Sequence, residues 1–133
     1  MHISAAAKTA ELPVKTVRYY ADIGLVSAPE RSVAGYRTYD ESAVRKLVFV
    51  RRAREFGFSI DECRELLSLY EDQNRSSADV KRIATKRLEE IAEKQRELQS
   101  LHDELAHLVD ACKGDERPDC PIIDGLGWVV ASE

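Results

Sequence analysis

Three cysteines in 133 residues are too few, and an odd number, for the disulfide framework of a small secreted domain. No apolar run approaches the roughly 18 residues that span a bilayer, so no membrane partner is expected. The opening stretch MHISAAAKTAELPVKT lacks the hydrophobic core of a signal peptide. Together these absences predict a cytoplasmic chain whose thiols stay reduced. There is also no Gly-rich phosphate loop and no paired nucleophile and base, so an enzyme is not expected. Internal repeats and low-complexity tracts are missing too. A length of 133 residues allows one compact domain, or a small domain with an appendage.

Charge is plentiful and unevenly placed. Residues 1–60 hold ten Lys and Arg against six Asp and Glu, a net of +4. Residues 61–133 hold ten against eighteen, a net of −8, and the chain as a whole carries −4. A basic N-terminal half points to a polyanionic partner that the acidic half would not touch.

The pattern of helix signals sharpens that expectation. ISAAAKTAEL reads as a short helix with Ser4 as its N-cap. PVKTVRYYADIG follows at once, with Pro13 in the first turn of a second helix and Gly24 at its stop. Two short helices joined by a tight turn form a helix-turn-helix. RSVAGYRTYD is rich in β-formers, with Gly35 where a hairpin would turn, and a basic hairpin in this place makes a wing. Asp40 then caps ESAVRKLVFVRRAREF, which stops at Gly57. SIDE is a capping box with Ser59 at the N-cap, and Ile60, Cys63, Leu67 and Tyr70 form the apolar stripe of the helix it starts.

After the polar break DQNRSS comes a segment of about residues 78–110, free of Pro and Gly. As a helix it would run roughly 50 Å. Ala84, Ile91, Leu98 and Leu105 recur every seven residues, with Leu101 and Leu108 beside them, although Arg87 and Lys94 interrupt the first half of the seam. A helix with one such face needs a partner, and a second copy is the simplest.

On the second helix, Lys15, Arg18 and Tyr19 are placed to meet a major groove. Arg31 and Arg37 bracket the wing with Tyr36 beside them, and Arg51, Arg52 and Arg54 cluster on the next helix. Cations neutralise phosphates and tyrosine hydroxyls add register-fixing hydrogen bonds. Tyr20 and Tyr39 read equally well as core, and Lys8, Arg45 and Lys46 as solvated surface.

The stretch ACKGDERPDC sets Cys112 and Cys120 at the ends of a polar loop. A disulfide, a metal clip and two idle thiols are all compatible with that spacing, and a reducing compartment argues against the first. Two thiolates satisfy a d¹⁰ monovalent ion such as Cu(I) or Ag(I) in linear geometry. Zn(II) prefers four ligands, and the nearby supply is poor: His102 and His107 lie on the preceding helix, and Asp115, Glu116 and Asp119 are solvated. Two thiolates and a +1 ion leave a net −1. Pro121 at a helix start would put Cys120 at an N-cap, where the dipole favours a thiolate; Lys81 is a further candidate countercharge. Cys63, on an apolar stripe, reads as packing.

The order of these motifs resembles the MerR family, and within it the copper-efflux regulator (CueR-like) branch, over about residues 1–126. R-Y-Y-x-x-x-G-L and G-Y-R-x-Y carry the family likeness; ADVKR, DACKGD and DCPIID carry the monovalent-metal likeness. The resemblance implies a mainly α fold: a winged helix-turn-helix DNA-binding domain (1–75), an antiparallel coiled-coil dimerisation helix (76–110), and a metal-binding loop with a short C-terminal helix and tail (111–133). It implies a homodimer on promoter DNA that distorts the duplex and activates RNA polymerase at copper-efflux genes when Cu(I), one per protomer, binds Cys112 and Cys120. Lys15, Arg18, Tyr19, Arg31, Tyr36, Arg37 and Arg54 are its expected DNA contacts. Ser77 stands where the divalent-metal branches carry a further cysteine, and with Lys81 it is expected beside the metal loop of the other protomer. Pro118 is similar to gold-responsive relatives, so Cu(I), Ag(I) and Au(I) all stay open. A copper-buffering dimer without a DNA role is the remaining alternative. The tail LGWVVASE lacks the Cys and His that such regulators often carry, and Trp128 is expected to pack.

Overall fold

The computed structural model describes residues 1–28, 30, 31 and 37–127, without the side chains of 30, 31 and 37. Tyr36 and Trp128 therefore lie outside the described residues. The chain is mainly α-helical. Its helices are α1 Ile3–Ala10, α2 Val14–Asp22, α3 Glu41–Glu55, α4 Ile60–Glu71, α5 Ser77–Ala111 and α6 Pro121–Gly127. A two-stranded antiparallel ribbon, β1 Glu30–Arg31 and β2 Arg37–Thr38, stands between α2 and α3. The chain divides within α5 into two compact units, Met1–Arg87 and Leu88–Glu133. No helix among the described residues is long and apolar enough to cross a membrane.

In the first unit α1 packs on α2 and α3, and α3 packs on α4. Ala6, Ala7 and Ala10 are buried on α1, where small side chains let neighbouring helices approach closely. Val17, Tyr39, Leu47, Val50 and Cys63 are the largest fully buried side chains. Tyr20 and Leu67 join the same core. Asp40 caps α3 by accepting from the Ala43 N–H at 2.8 Å. At α4 the Ser59 hydroxyl accepts from the Glu62 N–H and the Glu62 carboxylate accepts from the Ser59 N–H, a complete capping box. That second bond holds the Glu62 carboxyl below its usual pKa.

Two local expectations differ from the structure. Ser4 lies inside α1, whose N-cap position is His2. The cause is long-range: the Met1 amine donates to the Tyr39 carbonyl and the Tyr39 N–H donates to the Met1 carbonyl, both at 2.7 Å. That pairing places the start of α1 ahead of the serine. Tyr70 is 45 % exposed rather than part of a buried stripe. Its ring stacks on Phe49 at the rim of the core, with centroids 4.8 Å apart.

Helix C-termini leave carbonyls without intrahelical donors and carry a partial negative charge. At three such ends in the first unit, arginines from other helices meet them. Arg51 of α3 donates to the Ala10 carbonyl at the end of α1, 2.9 Å away. Arg64 of α4 donates to the Ile23 and Gly24 carbonyls just past α2, at 3.1 and 3.2 Å. Arg87 of α5 donates to the Phe56 carbonyl at the end of α3, 2.7 Å away.

In α5, 35 residues long and therefore about 52 Å, Ile83 is the only buried residue. Leu88, Leu98, Leu101, Leu105 and Val109 are exposed along its length. In the second unit α6 lies against the end of α5: a Cβ added at Gly125 would come 3.0 Å from the Leu108 methyls.

Gly57 follows α3 in the left-handed region, with φ +86°, and a Cβ there would fall 2.1 Å from Nη2 of Arg87. Gly57→Ala should cost about 1–2 kcal/mol through backbone strain and displacement of that guanidinium. The measurement is urea unfolding, with a lower midpoint at unchanged slope.

Candidate DNA-binding face and metal-binding loop

The turn between α1 and α2 is short because Glu11 takes a left-handed conformation, φ 59°, and Pro13 occupies the N-cap of α2. Helical spacing then sorts α2 into two faces. Val17 and Tyr20 turn inward, while Lys15, Arg18 and Tyr19 are exposed together on the outer face. The Tyr19 ring leans on Tyr20, with centroids 6.0 Å apart and planes tilted by 48°. On the ribbon, the antiparallel register sets Arg31 opposite Arg37.

Arg54 stands at the end of α3, where its guanidinium donates to the Phe58 carbonyl at 2.6 Å. It also faces the Tyr20 hydroxyl, whose pKa burial pushes up against the opposing pull of that cation. Lys46 pairs with Glu71 at 3.1 Å and Arg45 with Glu41 at 2.5 Å. Lys8 is exposed. These three behave as surface cations. Arg51, Arg64 and Arg87 were not foreseen as helix-end partners, because a backbone carbonyl acceptor leaves no mark in the sequence.

The loop after α5 is built from local bonds. The Cys112 N–H donates to the Leu108 and Val109 carbonyls, at 3.1 and 3.2 Å, and so finishes the helix. Gly114 turns the chain with φ +66°, and the Asp115 carboxylate accepts from the Arg117 N–H at 2.9 Å. Pro121 opens α6, and the Asp124 N–H donates to the Cys120 carbonyl at 3.0 Å, which sets Cys120 at the N-cap position. The loop brings the two sulfurs within 3.6 Å of each other. Both are free thiols, since a disulfide requires about 2.05 Å.

The Ile123 N–H, then the Cys112 thiol and the Ile122 N–H, lower the Cys120 pKa. Cys63 is the opposite case: burial in the first unit raises its thiol pKa. Among the described residues no group of three or more His, Cys, Asp or Glu side chains is placed to hold a metal. A donor set of two sulfurs suits a soft d¹⁰ ion of low coordination number. Ser77 is the first residue of α5, but Ser76 supplies the side-chain cap, its hydroxyl accepting from the Ala78 N–H at 3.1 Å. Lys81 is exposed on the same helix. Both belong to the first unit, and the cysteine pair belongs to the second.

A helix-turn-helix with a cationic outer face, followed by a two-stranded ribbon and a long helix, defines a class of DNA-binding regulator. Residues 1–69 match the MerR HTH family regulatory protein and residues 44–108 match the MerR DNA-binding family. The chain belongs to the MerR family of helix-turn-helix transcriptional regulators, which are not enzymes. It is 54 % identical to the HTH-type transcriptional regulator HmrR of Rhizobium leguminosarum bv. viciae, over 95 % of this chain and 97 % of that one. It is 45 % identical to the HTH-type transcriptional regulator CueR of Salmonella typhimurium, over 95 % and 91 % of the two chains. Among solved structures it is similar to the transcription regulator PbrR691 from Ralstonia metallidurans CH34 in complex with lead(II). The TM-score is 0.80 and the identity 32 %, covering 95 % of this chain and 98 % of that one.

Alkylation should rank the thiols. With iodoacetamide at neutral pH Cys120 reacts faster than Cys63, and its rate falls with decreasing pH at a midpoint below that of a free thiol, about 8.5. Peptide mass spectrometry at timed intervals reads both.

Proposed function

We propose that the protein is a Cu(I)-responsive transcriptional activator acting as a cytoplasmic homodimer on the promoters of copper-efflux genes. The observation that carries this reading is the pair of thiols 3.6 Å apart at the junction of α5 and α6. In it, residues 1–75 bind DNA, 76–110 form an antiparallel coiled coil, and 111–133 form the metal-binding segment. The exposed leucines of α5 support the dimer, because a face of that kind needs a second surface in water.

Each part has a physical task. Lys15, Arg18 and Tyr19 on α2, with Arg31, Tyr36 and Arg37 around the wing and Arg54 on α3, engage DNA, chiefly its phosphates. Cys112 and Cys120 hold the ion. When bound, Cu(I) supplies one positive charge and a tie between two sulfurs. The N–H groups at the start of α6 stabilise the negative charge left on the pair. Ser77, in place of the cysteine expected in divalent-metal branches, and Lys81 would border the loop from the other protomer. Control then works through deformation of promoter DNA, which changes its fit to RNA polymerase.

An anaerobic, chelator-buffered titration with Cu(I), Ag(I) and Zn(II) in parallel tests the metal assignment. One tightly held Cu(I) per protomer is expected, lost in Cys120→Ser and unmatched by Zn(II). Preference for Zn(II) would overturn it, and preference for Ag(I) would move the reading to silver. Cys112→Ser should abolish metal-dependent transcription in vitro while leaving DNA binding intact.

Arg18→Ala tests the DNA face. Loss of one phosphate contact should lower affinity for promoter DNA and reduce the slope of log K against log salt by about 0.9. Unchanged affinity and slope would remove Arg18 from the interface, whereas no footprint on promoter DNA by the unaltered protein would favour a copper-buffering dimer.

A further inference from the structure

The outer face of α2 carries three of the residues that would meet DNA, so the angle of this helix matters as much as its side chains. Its near end is set by the turn at Glu11 and Pro13 and by the buried Val17 and Tyr20. Its far end has no basic residue in its own last turn, and the chain leaves through Ile23 and Gly24, the latter at φ +70°. The two carbonyls exposed there are taken by one side chain from α4. Nη2 of Arg64 lies 3.1 Å from the Ile23 oxygen and Nη1 lies 3.2 Å from the Gly24 oxygen. The next residue on α4, Glu65, pairs with Arg82 of α5 at 3.3 Å. Thus α4 is held by the start of α5 on one side and grips the end of α2 on the other.

We propose that Arg64 is a positioning residue for DNA recognition, fixing the far end of α2 so that Lys15, Arg18 and Tyr19 are presented at one angle. The proposal rests on α2 being the recognition helix. Two features favour positioning over direct phosphate contact. Both terminal nitrogens already donate to protein carbonyls, and the fork matches two successive carbonyls, which a single ammonium would match less well. The contact is exposed, so it adds little to overall stability; what it restrains is orientation.

The test uses the full chain and a duplex enriched from random-sequence DNA by the unaltered protein, with a scrambled duplex of equal length beside it. In Arg64→Gln, affinity for the enriched duplex should fall roughly tenfold, the scale of one weakened base contact. Affinity for the scrambled duplex should change less than about twofold, with the salt slope and melting temperature unaltered. Arg64→Lys should recover part of the loss. If both affinities fall together and the slope drops by about 0.9, Arg64 is itself a phosphate contact and the proposal fails. If neither affinity changes, or if both fall in step with a lower melting temperature, it fails as well. Should the unaltered protein enrich no sequence at all, the recognition-helix assignment falls before Arg64 is reached.

Discussion

Every helix ends on carbonyls that its own backbone cannot satisfy, and at three helix ends of the first unit arginines from elsewhere in the sequence supply donors. The order is regular. α3 closes α1 through Arg51, α4 closes α2 through Arg64, and α5 closes α3 through Arg87. Each contact joins a guanidinium to the negative end of a helix dipole, a favourable pairing of charge with dipole. Hydrophobic burial supplies most of the cohesion of the core, but it has no direction. The arginine contacts do, and they tie three helix ends to particular neighbours.

These contacts also change how the basic half should be understood. Its excess of positive charge is not a single surface resource. Arg51 is bound to the Ala10 carbonyl and lies near Glu11 and Glu55, at 3.7 and 2.8 Å. Arg54 is bound to Phe58, and Arg52 pairs with Glu55 while lying over the Phe56 ring. Lys15 and Arg18, by contrast, stand exposed on a helix whose inner face is fixed by Val17 and Tyr20. On α3 these cations are engaged by the protein itself, whereas those on α2 face solvent.

Much of the fold was legible because its signals are local. The SIDE capping box, the Asp40 cap and the proline before α2 each act within three or four residues, so spacing alone revealed them. The same holds for Cys120 ahead of Pro121. What escaped depends on distant partners. Ser4 lost its predicted role to the pairing of Met1 with Tyr39, and Tyr70 leans on Phe49 instead of entering the core. The spacing of Cys112 and Cys120 announced a loop that could close, but only coordinates could put the sulfurs 3.6 Å apart.

The long helix has a thermodynamic consequence of its own. Of its 35 residues only Ile83 is buried by the chain's own fold, and Leu88, Leu98, Leu101 and Leu105 are exposed. With a second copy on that face, folding and association share one equilibrium. In such a dimer dilution would act as a mild denaturant, and the melting temperature would depend on concentration as well as on sequence.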